Sequence, residues 1–142
     1  MRLTLAHAAT IVDAALAHGR GAGFEPLTVA VLDPGGHLVA FKREDRSGIL
    51  RFDVAFGKAY GALGMGFGSR ELAARAATMP AFIGALAAAS GGRMVPVPSG
   101  VLLMSEGEVV GAVGISGDTS DNDEACALAG IAAAGFEAKT GK

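Results

Sequence analysis

Apolar residues recur first at helical and then at alternating spacing along the first third of the chain. From Thr4 to Gly19 they follow one face of a helix, so the pattern predicts an amphipathic helix with Thr4 as N-cap and Gly19 as its end. The segments Leu27 to Leu32 and His37 to Phe41 contain residues typical of strands, and Asp33-Pro34-Gly35-Gly36 between them is a turn sequence. This region therefore predicts a helix followed by a β-hairpin.

The middle of the chain is predicted to be helical. One helix is expected from Arg51 or Phe52 to about Met65, and a second follows Ser69, which is a suitable N-cap. A third helix is expected to begin at Pro80, since proline is favoured in a first helical turn, and to reach Ala89 before two glycines end it.

A second hairpin and a last helix complete the pattern. The segments GVLLMS and EVVGAVGIS flank a Glu106-Gly107 turn, and the acidic segment after Asp118 leads into a helix predicted from about Asp121 toward Lys139. Ser120 and Asp123 resemble a capping box at its start. The whole order predicts an α+β fold, with an antiparallel sheet built from two hairpins and helices packed against it, rather than a Rossmann sheet.

Composition narrows the class of protein. The chain has 142 residues, of which 51% are hydrophobic and 18% charged, which predicts one globular domain. Its formal net charge of -2 gives no reason to expect a nucleic acid or an anionic membrane as partner. No uncharged apolar run is long enough to cross a bilayer, and Cys126 has no second cysteine to pair with. Because His7 and Asp13 interrupt the apolar N-terminus, we expect a cytoplasmic protein.

Glycine is unusually frequent, with 22 residues, and several glycines fall inside a predicted helix. Gly57, Gly61 and Gly64 share one helical face, where another backbone could approach closely. The segment lacks the GK[ST] ending of a phosphate-binding loop, so we reject a nucleotide site. The surface that rests on these glycines could be another helix, a second subunit or a flat ligand.

Lys58 is the foremost candidate for a functional side chain. It lies between Phe56 and Ala59 on the glycine-rich helix, which also carries Tyr60. A lysine in apolar surroundings can bind a carboxylate or act as a base once its pKa falls. The alternative, an ion-paired structural lysine, carries equal weight.

The three histidines show no spacing typical of a metal site, so any metal ligands remain unknown. His37 is the best placed of them, since it opens a strand directly after a turn. Asp123 and Glu124 are interpreted first as groups near a helix N-terminus, and either could also face a ligand.

Four segments in order resemble the GlcG/HbpS-like haem-binding family, which includes the C-terminal domain of PduO-type proteins. They are LTVAVLDPGGHLVAFKRED, DVAFGKAYGALGMG, the SGG after the middle helices, and EVVGAVGISGDTSDNDEACALAGIAA. The resemblance implies a single profilin-like domain over residues 1–142, assembled as a homodimer or larger homo-oligomer, with haem or another tetrapyrrole bound in some relatives. Residues that match the family pattern are Asp33, Gly36, Lys58, Gly111, Gly114, Gly117, Asp123 and Glu124.

Two functional hypotheses follow, and the alternative to both is a structural or assembly module with no ligand. In the first, the protein binds a small molecule such as haem or another tetrapyrrole: an imidazole or Tyr60 supplies an axial contact, and the ligand-binding residues are Arg43, Lys58, Tyr60, Arg93 and Asp123. In the second, it is a cofactor-independent isomerase, lyase or hydrolase acting on a small oxo or hydroxy acid. Its catalytic residues would be Lys58, His37 and Glu124.

Overall fold

Helices and strands follow one another in the predicted order, with one further strand near the C-terminus. In the computed structural model, which describes residues 1–142, the strands are β1 (Thr28–Leu32), β2 (Leu38–Arg43), β3 (Gly100–Ser105), β4 (Glu108–Ser116) and β5 (Glu137–Lys139). The helices are α1 (Leu5–Ala22), α2 (Arg51–Met65), α3 (Ser69–Thr78), α4 (Pro80–Ala89) and α5 (Ser120–Ala133). None of these helices is both long and apolar enough to span a bilayer.

The strands form one antiparallel sheet in the order β2-β1-β4-β3-β5. The hairpins β1-β2 and β3-β4 are joined through the pairing of β1 with β4, which sets Thr28 opposite Ser116 and Leu32 opposite Ala112. The predicted α+β fold and its two hairpins are therefore confirmed.

Alternate residues of the central strands point to opposite helical layers, as the two-residue period of a strand requires. Helices α1 and α5 cover one face, where Val101, Leu103, Val113 and their neighbours form the main core cluster. Helix α2 covers the other face, against a smaller cluster that includes Leu102 and Ala112. A third, small cluster joins α3 and α4 to the segment before β3.

Two strand glycines allow α2 to lie directly against the sheet. Gly100 and Gly114 are cross-strand partners on β3 and β4. A methyl group on Gly114 would overlap the carbonyl oxygen of Ala55, and one on Gly100 would overlap that of Lys58. Close backbone approach, which was expected at the helix glycines, is therefore also provided by glycines of the strands.

The glycines of α2 face a different neighbour. A methyl group on Gly57 would overlap the Arg93 carbonyl oxygen, and one on Gly61 would lie 2.6 Å from Met94 Cγ. The Val95 amide donates a hydrogen bond to the Gly57 carbonyl oxygen over 3.1 Å. Only Gly64 has no atom within 4 Å of that position. The close-packing interpretation holds for Gly57 and Gly61, where the chain's own segment takes the place considered for a flat ligand.

Two predicted helix ends were wrong. Helix α1 continues past Gly19 to Ala22, because Gly19 packs against Leu27 instead of adopting a left-handed cap. Helix α5 ends at Ala133, before the predicted Lys139. Gly135 follows at φ 84°, and the buried Phe136 ring packs on the main core. The chain then forms β5, which pairs with β3. Both ends depend on tertiary contacts that local sequence does not contain.

The N-caps of α3 and α5 also differ from the predicted ones. Gly68 is the N-cap of α3, while the buried Ser69 hydroxyl donates to the Val97 carbonyl oxygen and accepts a hydrogen bond from the Gly100 amide. Thr119 caps α5 by accepting a hydrogen bond from the Asn122 amide over 3.2 Å. Asp123 is thereby free to turn inward, away from the predicted capping box.

Replacing Gly114 by alanine should lower the free energy of unfolding by about 1–3 kcal/mol or more, because the added methyl group forces α2 away from the sheet. Gly84→Ala on α4 is the matched control, since its methyl group would meet no atom within 4 Å. It should raise the free energy of unfolding by roughly 0.5–1 kcal/mol through helix propensity. Urea denaturation followed by circular dichroism measures both, and equal effects would contradict this account of the α2 contact.

Candidate functional site

The Lys58 ammonium lies inside the protein, between α2, β4 and α5. Its side chain is only 4% exposed, and Nζ donates to Ser99 Oγ over 3.0 Å and to the Ile115 carbonyl oxygen over 2.8 Å. Asp123 Oδ2 lies 3.5 Å from the same nitrogen. Three acceptors therefore surround the three ammonium hydrogens. Lys58 lines none of the grooves on the protein surface.

Burial opposes the charge on both members of this pair. It lowers the pKa of Lys58, and the nearby Asp123 carboxylate partly offsets that effect. It also raises the pKa of Asp123, whose Oδ1 accepts a hydrogen bond from the Asp118 amide over 2.9 Å. Ser99, buried and at φ 94°, donates to the Ile115 carbonyl oxygen over 2.7 Å and completes the network. Every polar atom of this cluster has a partner.

Glu124 faces α3 rather than Lys58. Arg70 binds its carboxylate in a bidentate way, with Nε 3.1 Å from Oε2 and Nη2 3.1 Å from Oε1. Arg70 also contacts Asp121, and its hydrogen bond with Glu124 is the main cause of a raised Arg70 pKa. The adjacent residues Asp123 and Glu124 therefore enter two separate ion pairs.

His37 lies in the exposed turn of the first hairpin, with 80% of its side chain accessible. Its Nδ1 is 3.2 Å from Asp33 Oδ1, which also accepts hydrogen bonds from the Gly35 and His37 amides. The His37 backbone bond is the main cause of a lowered pKa at Asp33, so the carboxylate is charged and Nδ1 is the donor. Nε2 is left without a partner in the protein. Lys58, His37 and Glu124 thus do not meet in one pocket.

A groove of about 510 Å³ lies beside the His37 ring. Its apolar walls are Leu3, Val39 and Val110, and Arg2 contributes a guanidinium group. The remaining lining residues belong to the hairpin turn itself, namely Asp33, Pro34, Gly35 and His37.

Tyr60 belongs to a row of aromatic rings that sequence reasoning missed. Successive ring centroids are 4.9 Å apart from Phe41 to Phe52, 5.9 Å from Phe52 to Phe56 and 5.6 Å from Phe56 to Tyr60. The Arg93 guanidinium lies 4.4 Å above the Tyr60 centroid. The spacing of residues 52, 56 and 60 at every fourth position of a helix was the available signal.

Small clefts of about 140 and 200 Å³ flank Tyr60, one beside the hairpin turn and one beside α4. Both are below the range of about 300–1,000 Å³ that small-molecule sites have. Arg43 lies elsewhere, in a groove of about 590 Å³ between α1 and the end of β2 that also contains Arg20 and Arg46. The predicted ligand-binding residues are therefore distributed over separate surfaces and the interior.

A family model described as "Haem degrading protein HbpS-like" matches residues 3–132. The chain belongs to the HbpS-like family. A relative from Citrobacter freundii, described as an uncharacterised 15.0 kDa protein in the dhaT-dhaS intergenic region, is 31% identical over 98 residues, which are 69% of this chain and 68% of the relative.

Solved structures show the same fold. HbpS of Streptomyces reticuli, in the form of a double mutant, is 28% identical with a TM-score of 0.78, and the match covers 93% of this chain and 86% of that one. A structure described as a PduOC–haem complex is 23% identical with a TM-score of 0.86, covering 96% and 98% of the two chains. The second likeness concerns the fold alone.

The other two histidines of this HbpS-like chain are placed differently from His37. His7 Nδ1 accepts a hydrogen bond from the Thr4 amide over 3.1 Å, and its ring edge packs on Phe136. His18 is exposed on α1 near Phe24 and lines no groove. No group of three His, Cys, Asp or Glu side chains gathers at one point.

Removing one member of the buried pair should cost more than removing both. Lys58→Met and Asp123→Asn should each lower the free energy of unfolding by about 3–5 kcal/mol, since each leaves the other polar group without its partner. The double variant should lose less than the sum of the two. A double-mutant cycle by urea denaturation measures the difference, and strict additivity would contradict a coupled pair.

The same variants provide a pH test. Burial raises the pKa of Asp123 and the Lys58 ammonium partly lowers it, so Lys58→Met should raise this pKa further above that of the unfolded chain. The folded variant therefore takes up a proton at a higher pH than the wild type does. Its deficit relative to wild type should therefore shrink as the pH falls from 7 toward about 4. The double variant has no titrating carboxylate at this position, so its deficit relative to wild type should not shrink toward acid pH. A deficit of Lys58→Met that grew toward acid pH would contradict the assignment.

Proposed function

We propose that this protein binds haem or a related tetrapyrrole in the groove beside His37, and that it does so as a homo-oligomer. Two comparisons support the ligand class: the family model is described by haem degradation, and a structure of the same fold is described as a haem complex. The proposal for this chain depends on its own residues, above all on the orientation of His37.

The observation that carries the proposal is an imidazole held by a carboxylate at the edge of an apolar groove. Asp33 engages Nδ1 of His37, which fixes the tautomer and leaves Nε2 to bind a metal. Histidines that bind metals in proteins commonly donate their other ring hydrogen in this way. Neither His7 nor His18 has such a partner.

The walls of the groove fit a flat, largely apolar ligand with acidic groups. Leu3, Val39 and Val110 offer apolar contacts for a macrocycle, and Arg2 can pair with a propionate. The volume of about 510 Å³ lies within the range of small-molecule sites. When bound, haem would supply an iron centre for ligand binding or electron transfer, and the protein residues would orient it.

The other predicted site residues have different tasks in this proposal. Lys58, Asp123 and Glu124 stabilise the scaffold, since all three are buried in ion pairs away from the groove. Tyr60 and Arg93 end the aromatic row. Lys58 has no access to a substrate, so the geometry offers no support for a reaction of small oxo or hydroxy acids there.

An exposed apolar surface supports the proposed homo-oligomer. Leu38 and Phe41 on β2, and Ile49 and Leu50 just before α2, are exposed large apolar residues that we call the apolar patch; Ile49 and Leu50 are 85% and 69% exposed. Large apolar side chains at such exposure are typical of surfaces that meet a partner. In a homo-oligomer the partner is most simply the same patch of a second copy, related by a two-fold axis.

Titration with hemin tests the ligand and its site together. The wild-type protein should give a Soret band that saturates near one equivalent per subunit, and His37→Ala should weaken binding at least tenfold because it removes the imidazole nitrogen that would hold the iron. His18→Ala is the matched control, since it removes an exposed imidazole that lines no groove. A flat titration of the wild type, or equal binding by His37→Ala, would refute the proposed site.

The apolar patch can be tested by light scattering coupled to size exclusion. Wild-type protein should elute as a multiple of 14.1 kDa at micromolar concentration. Leu50→Glu should shift it toward the monomer, because a carboxylate in the contact would be desolvated without a partner. Leu5→Glu is the control, since Leu5 is 68% exposed and lies on α1 outside the patch. A wild-type monomer, or identical behaviour of both variants, would contradict this interface.

A further inference from the structure

The groove around Arg43 is separate from the one proposed for the tetrapyrrole, and the two share no lining residue. It has a volume of about 590 Å³, and six of its eight lining residues are charged. They are Arg20, Lys42, Arg43 and Arg46 on the positive side and Glu44 and Asp45 on the negative side, with Leu16 and Pro26 completing the wall. Such walls suit a small polar ligand and not a macrocycle.

Two of the four cations already have partners. Arg20 Nε is 2.8 Å from Glu44 Oε2, and its Nη2 donates to two backbone carbonyl oxygens just before β1. Glu44 Oε1 accepts a hydrogen bond from the Leu27 amide over 2.7 Å, so this ion pair is fixed. Lys42 is paired with Asp13 over 2.7 Å. The charges of these four side chains therefore cancel in pairs.

Arg43 and Arg46 are the two cations of the groove without a partner. Neither guanidinium has a hydrogen-bond acceptor or a salt-bridge partner within the protein, and Asp45 is the one unpaired acid beside them. The groove is therefore locally positive although the whole chain carries a formal net charge of -2. Two guanidinium groups in one concave surface are suited to bidentate binding of phosphate or carboxylate oxygens.

The backbone at Arg46 provides an independent observation. Arg46 has φ 73°, in the left-handed region where glycine is favoured and other side chains are strained. The loop is fixed there, because the Glu44 amide donates to the Leu27 carbonyl oxygen over 2.9 Å and the Ser47 hydroxyl meets that of Thr28 over 2.8 Å. Strain of this kind is characteristic of functional positions. The turn therefore holds the Arg46 backbone in a fixed position close to Arg43.

We propose that this groove binds a small dianion, such as a phosphate or a dicarboxylate, through Arg43 and Arg46. The Arg20–Glu44 pair lines the site and ties its loop to the chain just before β1. The site is independent of haem, since none of its residues reaches the His37 groove.

Isothermal titration at low ionic strength, with inorganic phosphate in one arm and succinate in the other, tests the proposal on the full chain. Arg43→Ala and Arg46→Gly should each weaken binding of the preferred anion about tenfold or more, the usual effect of losing a charge-assisted hydrogen bond. Lys139→Ala is the control, because it removes one exposed positive charge outside the groove. The arm that responds identifies the acid group.

Arg46→Gly also separates function from folding. Glycine relieves the left-handed backbone, so the melting temperature of this variant should be equal to or above that of the wild type while anion binding falls. Three results would overturn the proposal: no binding of either anion, equal weakening by Lys139→Ala, or full binding by Arg46→Gly. Hemin binding should be unchanged in all three variants, so a failure here and a failure of the tetrapyrrole site are distinguishable.

Discussion

The contact between α2 and the sheet is the constraint on which the remaining structure depends. Gly100 and Gly114 remove the side chains that would separate them, and the α2 backbone lies against both strands. Lys58 contributes to this contact through both its backbone and its side chain. Its carbonyl group packs against Gly100, and its ammonium group contacts the Ile115 carbonyl oxygen on β4 and Asp123 on α5. A helix so close to a sheet leaves little room for large apolar side chains. The buried ion pair replaces part of the apolar contact and joins both helical layers through the sheet, at the cost of desolvating two charges.

Much of this fold could be predicted because its signals are local. The alternation and turn residues of both hairpins lie within short segments, and so do the apolar stripes and breaks of the helices. The end of α5 could not be predicted in this way, because it depends on the Phe136 ring, which packs on a core formed by strands distant in sequence. The contribution of the strand glycines was missed for the same reason. Spacing shows that Gly57 and Gly61 share a face, whereas only the three-dimensional structure shows that Gly114 lies beneath Ala55.

For the candidate site residues too, the sequence predicted some features and only the three-dimensional structure showed the others. Sequence reasoning selected Lys58 and Asp123, and the structure brings them together, but as an internal pair without access to solvent. Residue type indicates which side chains can be charged, but it does not indicate whether those side chains face a cavity. His37 could be selected because its place after a turn predicts exposure. Arg46 could not, since its distinguishing property is a backbone angle, and the groove that it shares with Arg20 depends on the packing of α1 beside β2.

Both proposed binding surfaces lie on the first hairpin, at its opposite ends. His37 precedes β2 and Arg43 is its last residue, so about six residues of extended chain, roughly 20 Å, separate the two positions. The strand between them is fixed by pairing with β1, and β1 is fixed in turn by β4. This arrangement places ligand groups on turns and loops while the rigid sheet behind them holds their backbones. It also leaves the exposed edge of β2 and the apolar patch available to a second copy, so that assembly and both ligands can use different parts of one hairpin without competing for the same atoms.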